Sequence, residues 1–193
     1  MLVTDLNHLL DLPEEAPGPA RRLSTYLCGV VRAASAGDAA VAWTSALPCR
    51  RRPARRPCPG HLVLFRPDAP APIRWQCNAC GDEGLITGWE DSPFDLRRRG
   101  LALARPVNEV VLPAEVAATL RELQLLDRDC ERLVYRIRFH GDHLVMAAAD
   151  EDIGELCGYL AAESNHEPNR RRQRRLDAAL DTLSDAALAA SGR

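Results

Sequence analysis

Two cysteines separated by two residues, Cys77 and Cys80, are the strongest chemical signal in this chain of 193 residues. They lie between an extended run and Gly81, which can adopt the positive φ that a tight turn around a metal requires. A Cys-x-x-Cys pair can instead be a redox pair, but a thioredoxin-type pair lies at the start of a helix. Here the residues after Gly81 lead to 85–87, which are typical of a strand. The pattern therefore favours metal binding.

A structural zinc ion takes four ligands in a tetrahedron, so two further ligands are needed. Cys58 is the third. The fourth is either Cys49, which forms Cys49-x8-Cys58, or His61, which forms Cys58-x2-His61. We favour Cys49, because it follows one predicted strand while Cys58 precedes the next, which mirrors the Cys77–Cys80 half. A full set of protein ligands leaves no open position, so the sequence predicts one structural Zn²⁺ and not a catalytic ion.

The four cysteines and Gly81 resemble the ligand pattern of the zinc-ribbon proteins, over residues 41–90. The eight residues between Cys49 and Cys58 depart from the usual two to four. The resemblance implies a pair of metal-bridged hairpins, and zinc ribbons often bind nucleic acid or another protein. Residues 75–89 and 165–172 also resemble parts of bacterial proteins of uncharacterised function, which implies no activity.

Arginine accounts for all 25 basic residues and forms two clusters. The clusters are Arg50, Arg51, Arg52, Arg55 and Arg56 between two predicted ligands, and Arg170, Arg171 and Arg172 at the start of the last helix. Guanidinium forks suit phosphate oxygens, so both clusters are candidate nucleic-acid or anion sites. For the loop arginines an equally favoured alternative to nucleic-acid binding is that they balance the negative charge of a four-thiolate zinc site. In the helix, arginine opposes the macrodipole, which favours pairing with Glu163, Glu167 or 150–152.

His166 and Glu167 are the candidate pair for acid–base catalysis. They lie at the entrance of a predicted helix, where Ser164 and Glu167 would also form a capping box. No nucleophile–base spacing or phosphate loop accompanies them. The sequence therefore assigns no catalytic residue and identifies no small-molecule substrate.

The elements that position these residues predict an α+β fold. Residues 1–39 form an N-terminal helical segment, with Thr4 as the cap of a short helix and a second helix from Pro19 to Ala36. Residues 40–96 form the zinc-ribbon module, with extended runs at 41–47, 61–66, 73–76 and 85–89.

Residues 97–193 form the third segment, a strand–helix–hairpin–helix–helix unit. Its hairpin pairs Leu133–His140 with 143–148 through Gly141-Asp142. Its last, amphipathic helix carries a leucine stripe that could pack internally or support self-association. These leucines are Leu176, Leu180 and Leu183.

The composition is that of an ordinary globular protein, because 46% of residues are hydrophobic and 27% are charged. A formal net charge of -2 provides no overall attraction to nucleic acid. No signal peptide and no run of about 18 apolar residues is present, so we expect a cytoplasmic protein without membrane contact. The favoured hypothesis is a small zinc protein that binds nucleic acid or acts in regulation. A protein–protein adaptor or self-associating module is the alternative, and an enzyme using His166 and Glu167 is less favoured.

Overall fold

The structure, a computed structural model, describes residues 1–13, 15–68, 71–97 and 107–191. These residues form six α-helices and eight strands, so the chain is a mixed α/β protein. It divides into two units, residues 1–99 and 100–193. The first unit therefore contains both the N-terminal helical segment and the cysteine-rich segment, which the sequence treats as separate.

The first unit is built on a five-stranded sheet with the order β1-β5-β4-β3-β2. Strands β2 to β5 pair antiparallel with their neighbours, and β1 pairs parallel with β5. The strands are β1 (Leu2–Asp5), β2 (Ala42–Pro48), β3 (His61–Phe65), β4 (Ile73–Cys77) and β5 (Glu83–Thr87), and the helices are α1 (Asn7–Leu10) and α2 (Gly18–Ala36). Two hairpins, β2–β3 and β4–β5, thus carry the four predicted cysteine ligands.

Helix α2 and one face of the sheet form the core of the first unit. Pro19 suits the first turn of the helix, and Gly37 ends it with an N–H that donates to Ala33. The apolar residues that are buried from the helix and the sheet are Leu27, Val30, Val31, Ala34, Leu62, Leu64, Ile73, Trp75 and Ile86. Burying each large side chain contributes about 1.5–3 kcal/mol, so this face fixes both hairpins on α2.

The short N-terminal helix is present as α1, but the prediction that Thr4 caps it is wrong. Thr4 lies inside β1, where it pairs with Ile86 of β5. The single helical turn of α1 begins later, after the Asp5 carboxylate accepts the N–H of Asn7 at 2.9 Å. Pairing with a distant strand overrides the local leucine pattern, which sequence periodicity cannot anticipate.

The second unit contains a three-stranded antiparallel sheet in the order β7-β8-β6. Its elements are β6 (Asn108–Leu112), α3 (Ala114–Arg121), α4 (Arg128–Tyr135), β7 (Arg138–His140), β8 (His143–Ala148), α5 (Asp150–His166) and α6 (Arg170–Ser191). The predicted hairpin turn is confirmed, since Gly141 adopts a φ of 59° between β7 and β8.

The strand predicted over Leu133–His140 is wrong in its first half, because helix α4 extends to Tyr135. Asp127 begins this helix by accepting the N–H groups of Asp129 and Cys130 at 2.7 and 3.0 Å. Leu133 to Tyr135 belong to this helix, whose Cys130 and Val134 are buried, and the alternation in polarity begins only at Tyr135. The Asp127 N-cap therefore favours a helix at this position, and β7 is only three residues long.

Helix α6 packs its apolar stripe inside the second unit. Leu176, Ala179 and Leu183 are buried, as are Leu156 and Leu160 of α5. Ser164 of α5 also donates to Asp177 of α6 at 2.5 Å. Among the described residues, none of the helices has the length and apolar character needed to span a bilayer.

Replacing Asp127 by alanine should lower the free energy of unfolding at pH 7 by about 1 kcal/mol, because the α4 cap is lost. Burial alone would raise the pKa of Asp127, but hydrogen bonds from Cys130 and Tyr159 hold it below its usual range. Its stabilisation is therefore present above pH ~3.9 and is lost as the pH falls through the folded-state pKa. Urea unfolding at pH 7 and pH 3 measures the effect.

The matched control is Tyr159→Phe, which removes one hydrogen bond to Asp127, 2.9 Å long, and keeps the cap. Its loss of stability should be the smaller of the two. A stability difference between the parent and Asp127→Ala that is as large at pH 3 as at pH 7 would contradict this assignment.

Candidate metal centre

The four cysteines lie at the tips of the two hairpins of the first unit. Cys49 and Cys58 lie between β2 and β3, whereas Cys77 ends β4 and Cys80 precedes β5. Because β3 pairs with β4 in a register that places Leu62 opposite Cys77, both tips lie at the same edge of the sheet. Their four sulfur atoms all lie within 4.8 Å of one another.

The sulfur spacing suits a tetrahedral ion. Cys49 Sγ lies 3.6 Å from Cys80 Sγ, and Cys58 Sγ lies 3.7 Å from Cys77 Sγ. All four are free thiols. A tetrahedron with metal–sulfur bonds of about 2.3 Å has sulfur–sulfur edges of about 3.8 Å. The four cysteines could therefore hold one metal ion without rearrangement of their backbone.

The long loop between Cys49 and Cys58 folds back on itself. Cys58 N–H donates to the Arg51 carbonyl at 2.9 Å, and Cys49 N–H donates to the Gly60 carbonyl at 2.8 Å. Between them a single 3-10 turn spans Pro53–Arg55 and includes two residues with positive φ. The additional residues thus project from the hairpin tip while the two cysteines stay adjacent.

Backbone N–H groups point at three of the sulfurs. Each donor lies two residues after the cysteine that it contacts, and each N···S distance is 3.4 Å. The donors are Arg51 to Cys49, Gly60 to Cys58 and Ala79 to Cys77. Hydrogen bonds of this kind orient the sulfurs and favour their ionised form, as outer groups around metal sites do.

Glycine is required at two positions in these tips. A Cβ on Gly60 would lie 2.5 Å from Cys77 Sγ and 2.6 Å from Ala79 Cβ, so this residue permits the two tips to approach. Gly81 has a φ of 69°, as the sequence predicts for the turn after Cys80, and a Cβ there would meet no atom within 4 Å. Gly60 is required because a side chain would not fit there, and Gly81 is required because its φ is positive.

The thiols differ in acidity. Burial raises the pKa of Cys49 to about 12, and the neighbouring thiols of Cys77 and Cys80 add to the shift. Burial also opposes ionisation of Cys77, but the N–H groups of Cys80 and Ala79 lower its pKa to about 7. Ionising one thiol thus hinders the next, and a cation is the means by which all four can be thiolates together.

His61 lies beside the sulfur group but its imidazole is not part of it. Its backbone N–H donates to Asn78 Oδ1 at 2.9 Å, and its carbonyl accepts the N–H of Asn78 at 3.0 Å. His61 therefore joins the first strand of one hairpin to the tip of the other through its backbone. This geometry supports the preference for Cys49 as the fourth ligand.

Asp82 organises the arginines nearest the sulfurs. Its carboxylate lies 3.4 Å from Arg50 Nε and 3.9 Å from Arg51 Nε. The Arg50 guanidinium also lies 5.9 Å from the centre of the Tyr26 ring. The sequence does not predict these ion pairs, because they depend on the approach of the two tips.

The other arginines of this loop are exposed. Among the residues that the structure describes, the side chains of Arg52, Arg55 and Arg56 meet no carboxylate. They are therefore available to a ligand.

Some of the arginines of α6 form ion pairs within the second unit. Arg172 forms ion pairs with Glu167 and, at 2.5 Å, with Glu163, as the pairing alternative predicts. Arg170 and Arg171 are exposed. Asn169 Oδ1 caps the helix by accepting the N–H groups of Arg171 and Arg172.

The proposed acid–base pair is not arranged for catalysis. Glu167 accepts the N–H of Asn169 at 2.8 Å and also pairs with Arg172, so its carboxylate is engaged in holding the α5–α6 turn. The pKa of Glu167 is held below its usual range mainly by the Arg172 guanidinium. His166 is exposed beside it.

A second group of possible ligands, Asp127, Cys130 and Glu155, also lies within 4.8 Å, and sequence reasoning missed it. The Asp127 oxygens already accept the N–H of Cys130 and the hydroxyl of Tyr159. Burial raises the pKa of the Cys130 thiol, and the Asp127 charge raises it further. Asp127 is therefore already engaged as the cap of α4.

Comparison with known proteins gave no match to any family model, to any curated protein or to any solved structure.

Replacing Gly60 by alanine should weaken metal binding about tenfold or more, because the new methyl group would displace Cys77 Sγ. Gly154→Ala is the control, since a Cβ there meets no atom within 4 Å and the residue lies in α5 of the second unit, away from the sulfurs. Competition between each variant and a chelating dye, with Zn²⁺ as the probe ion, measures the affinity. Equal affinities of the two variants would show that the close approach at Gly60 is unimportant.

Proposed function

We propose that Cys49, Cys58, Cys77 and Cys80 hold one structural Zn²⁺. The observation that supports this proposal is that four sulfurs from two hairpins lie within 4.8 Å of one another. Four protein ligands complete a tetrahedral shell and leave no position for substrate or water. The ion would bind the two hairpin tips together, and its binding energy would become folding energy of the first unit.

Zinc is preferred over iron, the other metal that takes four thiolates in a tetrahedron. Nothing about a closed, structural site calls for redox chemistry, and Zn²⁺ has none. The seven cysteines are free thiols, which supports a reducing compartment such as the cytoplasm as the location of the protein. Because Zn²⁺ has a filled d shell, the zinc form should be colourless, whereas an iron–thiolate form would absorb visible light.

The second part of the proposal is that the loop between Cys49 and Cys58, held at its base by zinc, binds nucleic acid through phosphate contacts. Three exposed guanidiniums without carboxylate partners in the described part of the chain, Arg52, Arg55 and Arg56, support it. Guanidinium–phosphate contacts are charge-assisted and often bidentate. The metal would fix the base of the loop, so less conformational entropy would be lost when the arginines engage a ligand.

The alternatives receive less support. The leucine stripe that suggested an adaptor or self-associating module is buried at Leu176 and Leu183 within the second unit. The Glu167 carboxylate that suggested an enzyme is paired with Arg172. Neither observation favours these functions over nucleic-acid binding.

Replacing Cys77 by serine should reduce the zinc content from one ion per chain to none and unfold the tips of the two hairpins, because metal binding and local folding are coupled. Cys157→Ser is the matched control, since Cys157 lies in the second unit near Ser184 and outside the sulfur group. Elemental analysis by mass spectrometry and near-UV circular dichroism report the two effects.

His61→Ala completes this test. It should leave one zinc ion bound, since the backbone of His61 and not its imidazole joins the tips. A zinc content near zero in His61→Ala would instead make His61 a ligand and remove the preference for Cys49.

The full-length protein should bind oligonucleotides in a salt-dependent manner. Each phosphate contact to a single strand contributes about -0.7 to the slope of log K against log [salt]. Arg55→Ala combined with Arg56→Ala should therefore make the slope shallower by up to about 1.4. Fluorescence anisotropy of a labelled oligonucleotide between 50 and 200 mM salt measures it.

The matched control for this measurement is Arg138→Ala, which removes an arginine paired with Glu109 at 3.8 Å in the second unit. Its slope should equal that of the parent protein. Absence of any oligonucleotide binding by the zinc-loaded parent at 50 mM salt would exclude the nucleic-acid proposal.

A further inference from the structure

A cleft of about 990 Å³ lies beside the metal centre, entirely within the first unit. One part of its lining comes from helix α2, through Arg22 and Tyr26. The other comes from the two hairpin tips and includes 50–53 and 80–83. Nothing in the sequence links Arg22 to the arginine loop, because 28 positions separate Arg22 from Arg50 and only the packing of α2 brings them together.

The lining of this cleft is basic. It contains four arginines, Arg22, Arg50, Arg51 and Arg52, against two carboxylates, Asp82 and Glu83. Asp82 already lies within 4 Å of the guanidiniums of both Arg50 and Arg51. Within the described ranges, Arg22 and Arg52 meet no carboxylate, and they come from different elements of the lining.

Charge balance of a four-thiolate zinc site is the competing explanation for these arginines. It accounts for Arg50 and Arg51, which the turn after Cys80 holds through Asp82. It does not account for Arg22, which belongs to α2, or for Arg52, which meets no carboxylate among the described residues. Two guanidiniums from different elements of one cleft lining can both donate to an anion bound there.

Tyr26 also belongs to this lining. Its ring packs edge-on against Trp75, with ring centres 6.2 Å apart, which fixes its orientation. Its hydroxyl oxygen is fully buried next to the Arg50 backbone, and the Arg50 guanidinium lies 5.9 Å from the ring centre. Tyr26 therefore joins α2 to the first hairpin tip beside the cleft.

The size of the cleft restricts the ligand. A cube of 990 Å³ has an edge of about 10 Å, and the major groove of a DNA duplex alone is about 12 Å wide. The body of a duplex therefore does not fit inside the cleft, and a duplex could reach it only with a backbone phosphate at the rim. A nucleotide, or a few nucleotides of a single strand, can place a phosphate inside.

We propose that this cleft binds a phosphate group of single-stranded nucleic acid between Arg22 and Arg52. The inference rests on the proposed nucleic-acid function and deepens it, because it names the form of nucleic acid and the residues that hold it. The exposed Arg55 and Arg56 then act along the strand outside the cleft, since neither belongs to the cleft lining.

The test compares Arg22→Ala/Arg52→Ala with Arg21→Ala/Arg174→Ala in the zinc-loaded full-length protein. Arg21 is the neighbour of Arg22 on α2, and Arg174 is exposed on α6, so the control removes the same charge from outside the cleft lining. Fluorescence anisotropy follows a labelled single strand and the corresponding duplex across a salt series. Competition with a nucleoside 5′-monophosphate and with inorganic phosphate identifies the source of the bound phosphate.

The cleft variant should bind the single strand about tenfold more weakly than the parent at low salt, with a slope shallower by about 1.4. The control variant should stay within about twofold of the parent, and the duplex should bind more weakly than the single strand. Competition by the monophosphate would show that one nucleotide fills the cleft, and its failure would show that a strand is required. Either result supports the proposal.

Equal weakening by both variants, an unchanged affinity of the cleft variant, or a duplex bound as tightly as the single strand would overturn it. These results differ from failure of the proposed function, in which the parent binds no oligonucleotide. Zinc content confirms that each variant is folded. If the double variant loses zinc, Arg22→Ala alone provides the test, because alanine is favourable at an exposed helical position.

Discussion

Four thiolates can share a space less than 5 Å across only when a cation offsets their mutual repulsion. At an effective dielectric constant of about 20, two unit charges 4 Å apart repel by about 4 kcal/mol. The first unit nevertheless brings four sulfurs together from two hairpins that are separate in sequence. Backbone N–H groups point at three of these sulfurs, and the missing side chain of Gly60 leaves room for the two tips to approach. The stability of the two hairpin tips depends on how this repulsion is relieved.

The core beneath the hairpins is what brings the sulfurs into register. Leu62, Leu64 and Trp75 face α2 from two adjacent strands, and their burial sets the pairing that places the tips at one edge. The convergence of the four sulfurs is therefore a product of ordinary apolar packing. The same packing brings α2 against the arginine loop and creates the cleft beside the centre.

The parts that the sequence predicted well are those that short-range patterns determine. The knuckle Cys77-x-x-Cys80-Gly81, helix α2 and the hairpin turn at Gly141 all follow from residues that are neighbours in the chain. The parts that it missed depend on distant residues. Strand β1 exists because β5 pairs with it, Asp82 meets Arg50 because the tips approach, and Arg22 reaches the cleft because α2 packs on the sheet. Helix α4 lies between these two cases. Its Asp127 cap is a local signal, but the alternating residues that follow favoured the prediction of a strand.

X-ray absorption at the zinc edge tests the central claim most directly, on protein purified without chelator. The account predicts one zinc ion per chain, surrounded by four sulfur atoms at about 2.3 Å. A shell of three sulfurs and one nitrogen at about 2.0 Å would replace one cysteine by a histidine. Protein that is folded and contains no stoichiometric metal would contradict the account, because the convergence of the four sulfurs would then need another cause.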